Sequence, residues 1–227
     1  MNSSNQQLNK DETEIKLKVC GLSDCQQIDE LLTLNTDFIG FIFYKKSPRF
    51  VLNKLNLEDI SEINHNGKVG VFVNEKIDII INISTKAKLN YIQLHGDETH
   101  DFVIELKEKL DKNIKIIKVI RIGNHSADEL QNIINQQPKI IDFLLFDTDS
   151  KAFGGTGKSF DWQILNEIKI KFPYFLSGGI SEENISLIHN LKQKPEVLDI
   201  NSKFEIEAGN KDIDKIKNFK TQIKNLL

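Results

Sequence analysis

Short apolar runs alternate with amphipathic stretches along the whole chain. The runs are Lys16–Val19, Phe38–Tyr44, Lys68–Val73, Tyr91–Leu94, Lys115–Arg121, Phe143–Asp147, Tyr174–Leu176 and Val197–Ile200. They are short and rich in Ile, Val and Phe, which predicts strands rather than helices. Between them, apolar positions recur at helical spacing. Ile28, Leu31 and Leu32 share one face, and Phe102, Leu106 and Leu110 fall at i, i+4 and i+8. A helical pattern begins near Phe160. Ser181 followed by Glu182 and Glu183 reads as the capped start of a short helix, Glu183–Asn190. A last helix is expected from Ile213 to Ile223. Strand and helix in strict alternation predict a parallel sheet of right-handed βαβ units. Eight units point to an α/β fold closed as a single (β/α)8 TIM barrel, although an open doubly wound sheet would alternate in the same way.

Length fits either one such barrel or two small domains: the chain has 227 residues, and a barrel takes about 250. No shift in composition divides it, so the barrel is expected over residues 15–227. The polar segment Met1–Glu14 is read as a disordered tail; it lacks the apolar core of a signal peptide. No apolar run approaches the ~20 residues of a membrane span. The net charge of -3 supplies no global basic field for nucleic acid or anionic lipid. An anionic substrate would have to be held by local groups. Cys20 and Cys25 lie too close in sequence for a disulfide scaffold, and no second pair completes a zinc site. A reduced, cytoplasmic chain is expected, with a small-molecule substrate. Both monomer and dimer suit such a fold.

In barrels of this kind, chemistry gathers at the C-terminal ends of the strands. The first run ends in Cys20, and Leu144-Leu145-Phe146 ends in Asp147. A carboxylate that ends an apolar strand must be solvated, paired or functional. A thiol there is either a small buried hydrophobe or, with help from nearby cations, a base. Gly155, Thr156 and Gly157 follow the Asp147 strand. Ser177, Gly178 and Gly179 follow the next, and Asn201 and Ser202 the last. Such loops are tight turns or converging backbone donors for a phosphate, and the loops after strands seven and eight are the usual phosphate site of these barrels. Arg49, stiffened by Pro48, is a solvated loop residue or a bidentate grip for a carboxylate. Gln93, His95 and Asp199 are candidate pocket-lining residues. His65, His100, His125 and His189 are expected at the surface. No His-x-His or His-Glu-x-x-His spacing occurs, so neither a catalytic metal nor a cofactor is expected.

These blocks together resemble the phosphoribosylanthranilate isomerase family of tryptophan biosynthesis, from about Lys16 to the C-terminus. The resemblance rests on Lys18-Val19-Cys20-Gly21-Leu22, Gly40-Phe41-Ile42-Phe43-Tyr44 with Ser47-Pro48-Arg49, and Val69-Gly70-Val71-Phe72-Val73-Asn74. It continues through Gln93-Leu94-His95-Gly96-Asp97-Glu98, Phe146-Asp147-Thr148, Gly154-Gly155-Thr156-Gly157-Lys158 and Leu176-Ser177-Gly178-Gly179-Ile180. It implies a ribulose-phosphate-binding (β/α)8 barrel that catalyses an Amadori rearrangement. The implied roles are Cys20 as general base, Asp147 as general acid and Arg49 as anchor for the anthranilate carboxylate. The glycine loops would hold the phosphate. Two positions depart from the family pattern: Lys45 stands where proline is common, and Lys203 where glycine is frequent. Lysine suits the latter poorly if that position needs a positive φ. The related isomerase of histidine biosynthesis uses an aspartate where Cys20 stands and a substrate phosphorylated at both ends. A non-catalytic phosphate-binding barrel is the other alternative.

Overall fold

The computed structural model describes residues 14–148 and 160–225. Eight parallel strands close into a barrel in chain order: β1 (Lys16–Cys20), β2 (Phe38–Ile42), β3 (Lys68–Phe72), β4 (Tyr91–Leu94), β5 (Lys115–Arg121), β6 (Phe143–Asp147), β7 (Tyr174–Leu176) and β8 (Val197–Ile200). The open-sheet alternative is therefore excluded. Pairing of β1 with β8 seals the barrel and sets Lys18 opposite Asp199.

Among the described residues six α-helices pack outside: α1 (Cys25–Thr33), α2 (Leu57–Glu62), α3 (Ile77–Lys86), α4 (His100–Lys109), α5 (Ala127–Gln136) and α6 (Ile213–Asn225). Each turns one apolar stripe to the sheet, as with Leu130 and Ile134 of α5 or Ile216, Phe219 and Ile223 of α6. Caps fix where they begin. Ser126 and Glu129 form a reciprocal capping box at α5, and Asn56 and Asp59 do so at α2.

Two expected α-helices are 3₁₀ turns instead, at Trp162–Asn166 and Ile185–Asn190. Both segments are short. In each, two buried residues three apart, Trp162 with Leu165 and Ile185 with Ile188, suit the tighter winding. Ser181 does not cap the second turn by its side chain; Asn184 occupies that position. A small antiparallel hairpin, β9 (Glu205–Glu207) with β10 (Asn210–Lys211), follows β8 and has no counterpart in the sequence reading. No described helix is long and apolar enough to cross a membrane.

Period-two alternation divides the strand residues between two cores. One set packs outward against the helices. The other fills the barrel with Phe38, Val69, Ile117, Val119, Leu145, Phe175 and Val197, joined by Tyr91 and Phe143. Four of these rings meet edge to face near the N-terminal ends of the strands. Phe38 lies 5.2 Å from Tyr91 and 5.3 Å from Phe175, and Phe143 lies 5.3 Å from Phe175. This dry floor closes the bottom of the barrel, so the polar positions further along the same strands open only upward.

Candidate active site

The next inward positions are Cys20 on β1, Gln93 on β4, Asp147 on β6 and Asp199 on β8, with His95 just after β4. All line one mouth of about 810 Å³, open to solvent. Arg49, Ser177, Gly178, Gly179, Asn201, Ser202 and Lys203 form its rim. The structure thus brings together every described residue that the sequence singled out. Gly155, Thr156 and Gly157 lie outside the described residues.

Cys20 is buried, and Gly40 on the neighbouring strand makes room for it. A Cβ on Gly40 would come within 2.9 Å of the Cys20 sulfur. Burial pushes the Cys20 thiol above its ordinary range; Lys18 and Lys211 oppose that shift, and Asp199 adds to it. Burial also raises the Asp147 carboxyl, to about 7, against the pull of a 2.7 Å hydrogen bond from the Thr148 amide to Oδ1. Gly178 sits against this carboxyl with φ of +85°. A side chain there would meet Thr148 and come within 3.0 Å of Asp147 Oδ1. His95 Nε2 lies 3.5 Å from Asp147 Oδ2. Burial lowers the His95 pKa to about 3, and Lys18, Arg121 and Lys118 add to the effect, so the imidazole is neutral.

Beneath these groups lies a fully buried ammonium that the sequence reading did not assign. Lys18 Nζ donates to Asp199 Oδ2 and to Gln93 Oε1, each at 2.8 Å. Burial works against its charge, but Asp199 and Cys20 hold its pKa above the ordinary value. Strand parity carried the signal: Lys18 lies two residues before Cys20, on the same inward face. The other oxygen of Asp199, Oδ1, is buried without a hydrogen-bond partner among the described residues.

Arg49 is not a free grip. Glu205 on the hairpin accepts from its Nε at 2.9 Å and from its Nη2 at 2.6 Å. Lys211 reaches the same carboxylate at 2.5 Å and Asn201 Oδ1 at 2.8 Å. Burial alone would raise the Glu205 pKa; Arg49 and Lys211 hold it below the ordinary range. The Nε and Nη2 edge of the guanidinium is thus fixed, and Nη1 makes no hydrogen bond among the described residues. Lys203 lies in a 3₁₀ turn, Ser202–Phe204, and not among the residues with positive φ, so lysine meets no backbone strain there. Asn74, two residues past β3, ties the loops after β3 and β4 together: its Oδ1 accepts from the Asp97 amide at 2.7 Å. His125 and His189 are exposed as expected. His65 and His100 are half-buried, and the His65 ring bridges Thr36 and Gly67.

A parallel eight-stranded barrel with a thiol, a raised carboxyl and a rim loop carrying Gly178 and Gly179 at the C-terminal ends of its strands defines a (β/α)8-barrel enzyme class. The family model described as N-(5'phosphoribosyl)anthranilate (PRA) isomerase matches residues 17–222, and the chain belongs to that family. An N-(5'-phosphoribosyl)anthranilate isomerase from Parabacteroides distasonis is 39% identical over 211 residues, covering 91% of this chain and 92% of that protein. Among solved structures, phosphoribosyl anthranilate isomerase from Thermotoga maritima is 30% identical with a TM-score of 0.74, covering 93% of this chain and 99% of that one. A phosphoribosyl anthranilate isomerase in complex with reduced 1-(o-carboxyphenylamino)-1-deoxyribulose 5-phosphate is 29% identical with a TM-score of 0.71, over the same shares.

Proposed function

We propose that this chain is a phosphoribosylanthranilate isomerase of tryptophan biosynthesis, with Asp147 as general acid and Cys20 as general base. The observation that carries the reading is a carboxyl held near pKa 7 and a thiol sharing one mouth, in a chain of this family. Asp147 is protonated often enough near neutrality to donate to the furanose ring oxygen. The C1–O bond breaks, and the anilino nitrogen supplies the electrons for a protonated Schiff base. The Cys20 thiolate removes the proton from C2. The C2–H electrons form the C1=C2 bond of an enolamine, and the iminium nitrogen becomes neutral. Protonation at C1 and loss of the enol proton give the aminoketose, 1-(2-carboxyphenylamino)-1-deoxyribulose 5-phosphate.

Two anchors hold the reacting carbons between them. The free edge of Arg49 takes the anthranilate carboxylate, and Glu205 holds that guanidinium in place. Backbone at Ser177, Gly178 and Gly179, with Asn201 and Ser202, receives the phosphate, joined by the Gly155–Gly157 loop. Lys203 adds positive charge on the same side. The unpartnered Asp199 oxygen accepts from a sugar hydroxyl.

The test generates the unstable substrate in place, from anthranilate and phosphoribosyl pyrophosphate with the preceding transferase, and follows anthranilate-type fluorescence. Loss of emission on adding the protein supports the reading. Binding of a product analogue without any turnover would favour a non-catalytic barrel.

A further inference from the structure

We propose that Lys18 and Gln93 fix the tautomer of His95, so that its Nε2–H faces Asp147 and the imidazole can donate to that carboxyl but cannot take its proton. Lys18 and Gln93 are then positioning residues for the acid, a role that rests on the reading of Asp147 above.

The argument follows from donor and acceptor inventory. An ammonium has three donors and no acceptor. The Gln93 atom 2.8 Å from Lys18 Nζ is therefore the amide oxygen. Turning the amide over would set its NH₂ against the NH₃⁺, two donors facing each other with no acceptor between them. The amide nitrogen, a donor only, then lies 3.0 Å from His95 Nδ1. Nδ1 must accept, so it carries no hydrogen. A neutral imidazole has its hydrogen on Nε2 instead, and Nε2 is the atom beside Asp147 Oδ2. The doubly protonated ring is excluded by the same contact. Burial among Lys18, Arg121 and Lys118 disfavours it further. Lys18 is itself held by Asp199, so the chain runs from β8 through β1 and β4 to β6 across the barrel.

The consequence is chemical. An acid must keep its proton until the ring oxygen takes it. A bare Nε2 beside Asp147 would compete for that proton; an Nε2–H does not. After transfer, the Thr148 amide already donates to Oδ1 of the new carboxylate, and the His95 Nε2–H, 3.5 Å from Oδ2, faces the other oxygen. No proton is consumed or left over by this arrangement.

Nitrogen-15 NMR of the histidine rings in the full chain tests the wiring, with the His95 signals identified by their loss in His95→Gln. The wild type is expected to show a protonated Nε2 and a bare Nδ1 at neutral pH. Gln93→Glu replaces the donor beside Nδ1 by an acceptor. Nδ1 should then become protonated, and kcat should fall about 10- to 100-fold with KM within about threefold. A wild-type ring protonated at Nδ1, or a ring unchanged in Gln93→Glu, overturns the proposal. So does an inverted tautomer with kcat intact. Absence of isomerase turnover in the wild type would instead remove the reading of Asp147 as acid, while the ring signals would still decide the wiring.

Discussion

Two residues apart on the same strand, the interior of this barrel changes character. Phe143 and Leu145 of β6 belong to the dry floor, and Asp147 ends in the mouth. On β8 the step runs from Val197 to Asp199, and on β4 from Tyr91 to Gln93. The floor is satisfied by its own contacts. The mouth holds a buried thiol, a raised carboxyl, a neutral histidine and a carboxylate oxygen with no partner. One half of the interior secures the fold, and the other keeps groups in states that burial makes reactive. The difference teaches that stability and turnover should respond to different positions on one strand.

Asp147→Asn gives the sharpest contrast. Turnover should fall by about 10²–10⁴-fold, since the proton donor is lost. Stability should move the other way. A carboxyl raised to about 7 holds in the folded state a proton that the unfolded chain releases near its ordinary value. Wild-type stability contributed by this group therefore falls as pH rises between those two values, by up to ~4 kcal/mol. The variant should melt higher than the wild type at about pH 8 and lose that advantage at about pH 4. Calorimetry at the two pH values checks the sign.

Leu145→Ala, one inward step below, should do the reverse. It should cost about 2–5 kcal/mol of stability by cavity formation, while kcat in the surviving enzyme stays within a few-fold. Lys18→Met tests the boundary between the halves. Removing one partner of a buried pair leaves Asp199 uncompensated, for a loss of about 3–5 kcal/mol in denaturant titration, together with slower turnover.

The pH profile of kcat/KM should be bell-shaped. The reactive form has Asp147 protonated and Cys20 ionised, yet the thiol pKa lies above the carboxyl pKa. That form shares its proton count with ionised Asp147 and neutral Cys20, so both rise and fall together. The rising limb should lie near pH 7, from the Asp147 titration, and the falling limb above the ordinary thiol range. Thiolate absorbance in the free protein should titrate with the falling limb. The smallest effect is expected at the rim. Glu205→Gln should loosen Arg49 and raise KM about tenfold with a lesser change in kcat, as steady-state kinetics would show.

Much of this was legible in the chain. Five of the eight strands lie where the apolar runs place them, because a strand buried on both faces reads as a nearly continuous apolar run. The exceptions shift only at their C-terminal ends: β1 runs on to Cys20, while β2 and β3 stop short of Tyr44 and Val73. Cys20 and Asp147 could be read as site candidates because strand ends are where this architecture exposes groups. Lys18 is readable from parity, since it shares the inward face of β1 with Cys20, but a lysine amid apolar neighbours carries no sign of its partners Asp199 and Gln93. Glu205 and Lys211 carried no such sign. Glu205 pairs with Arg49 across 156 residues, and Lys211 joins the same carboxylate, which no local pattern encodes. The 3₁₀ turns were missed for a related reason, since a few apolar residues three apart suit either winding.

The central claim is that the Cys20 sulfur takes the C2 proton in the mouth it shares with Asp147. The most direct measurement is kcat/KM of Cys20→Ala with substrate generated in place, beside the affinity of the same variant for a product analogue. Turnover reduced by about 10²–10⁴-fold with affinity nearly unchanged is the predicted result. Turnover within a few-fold of the wild type would contradict it.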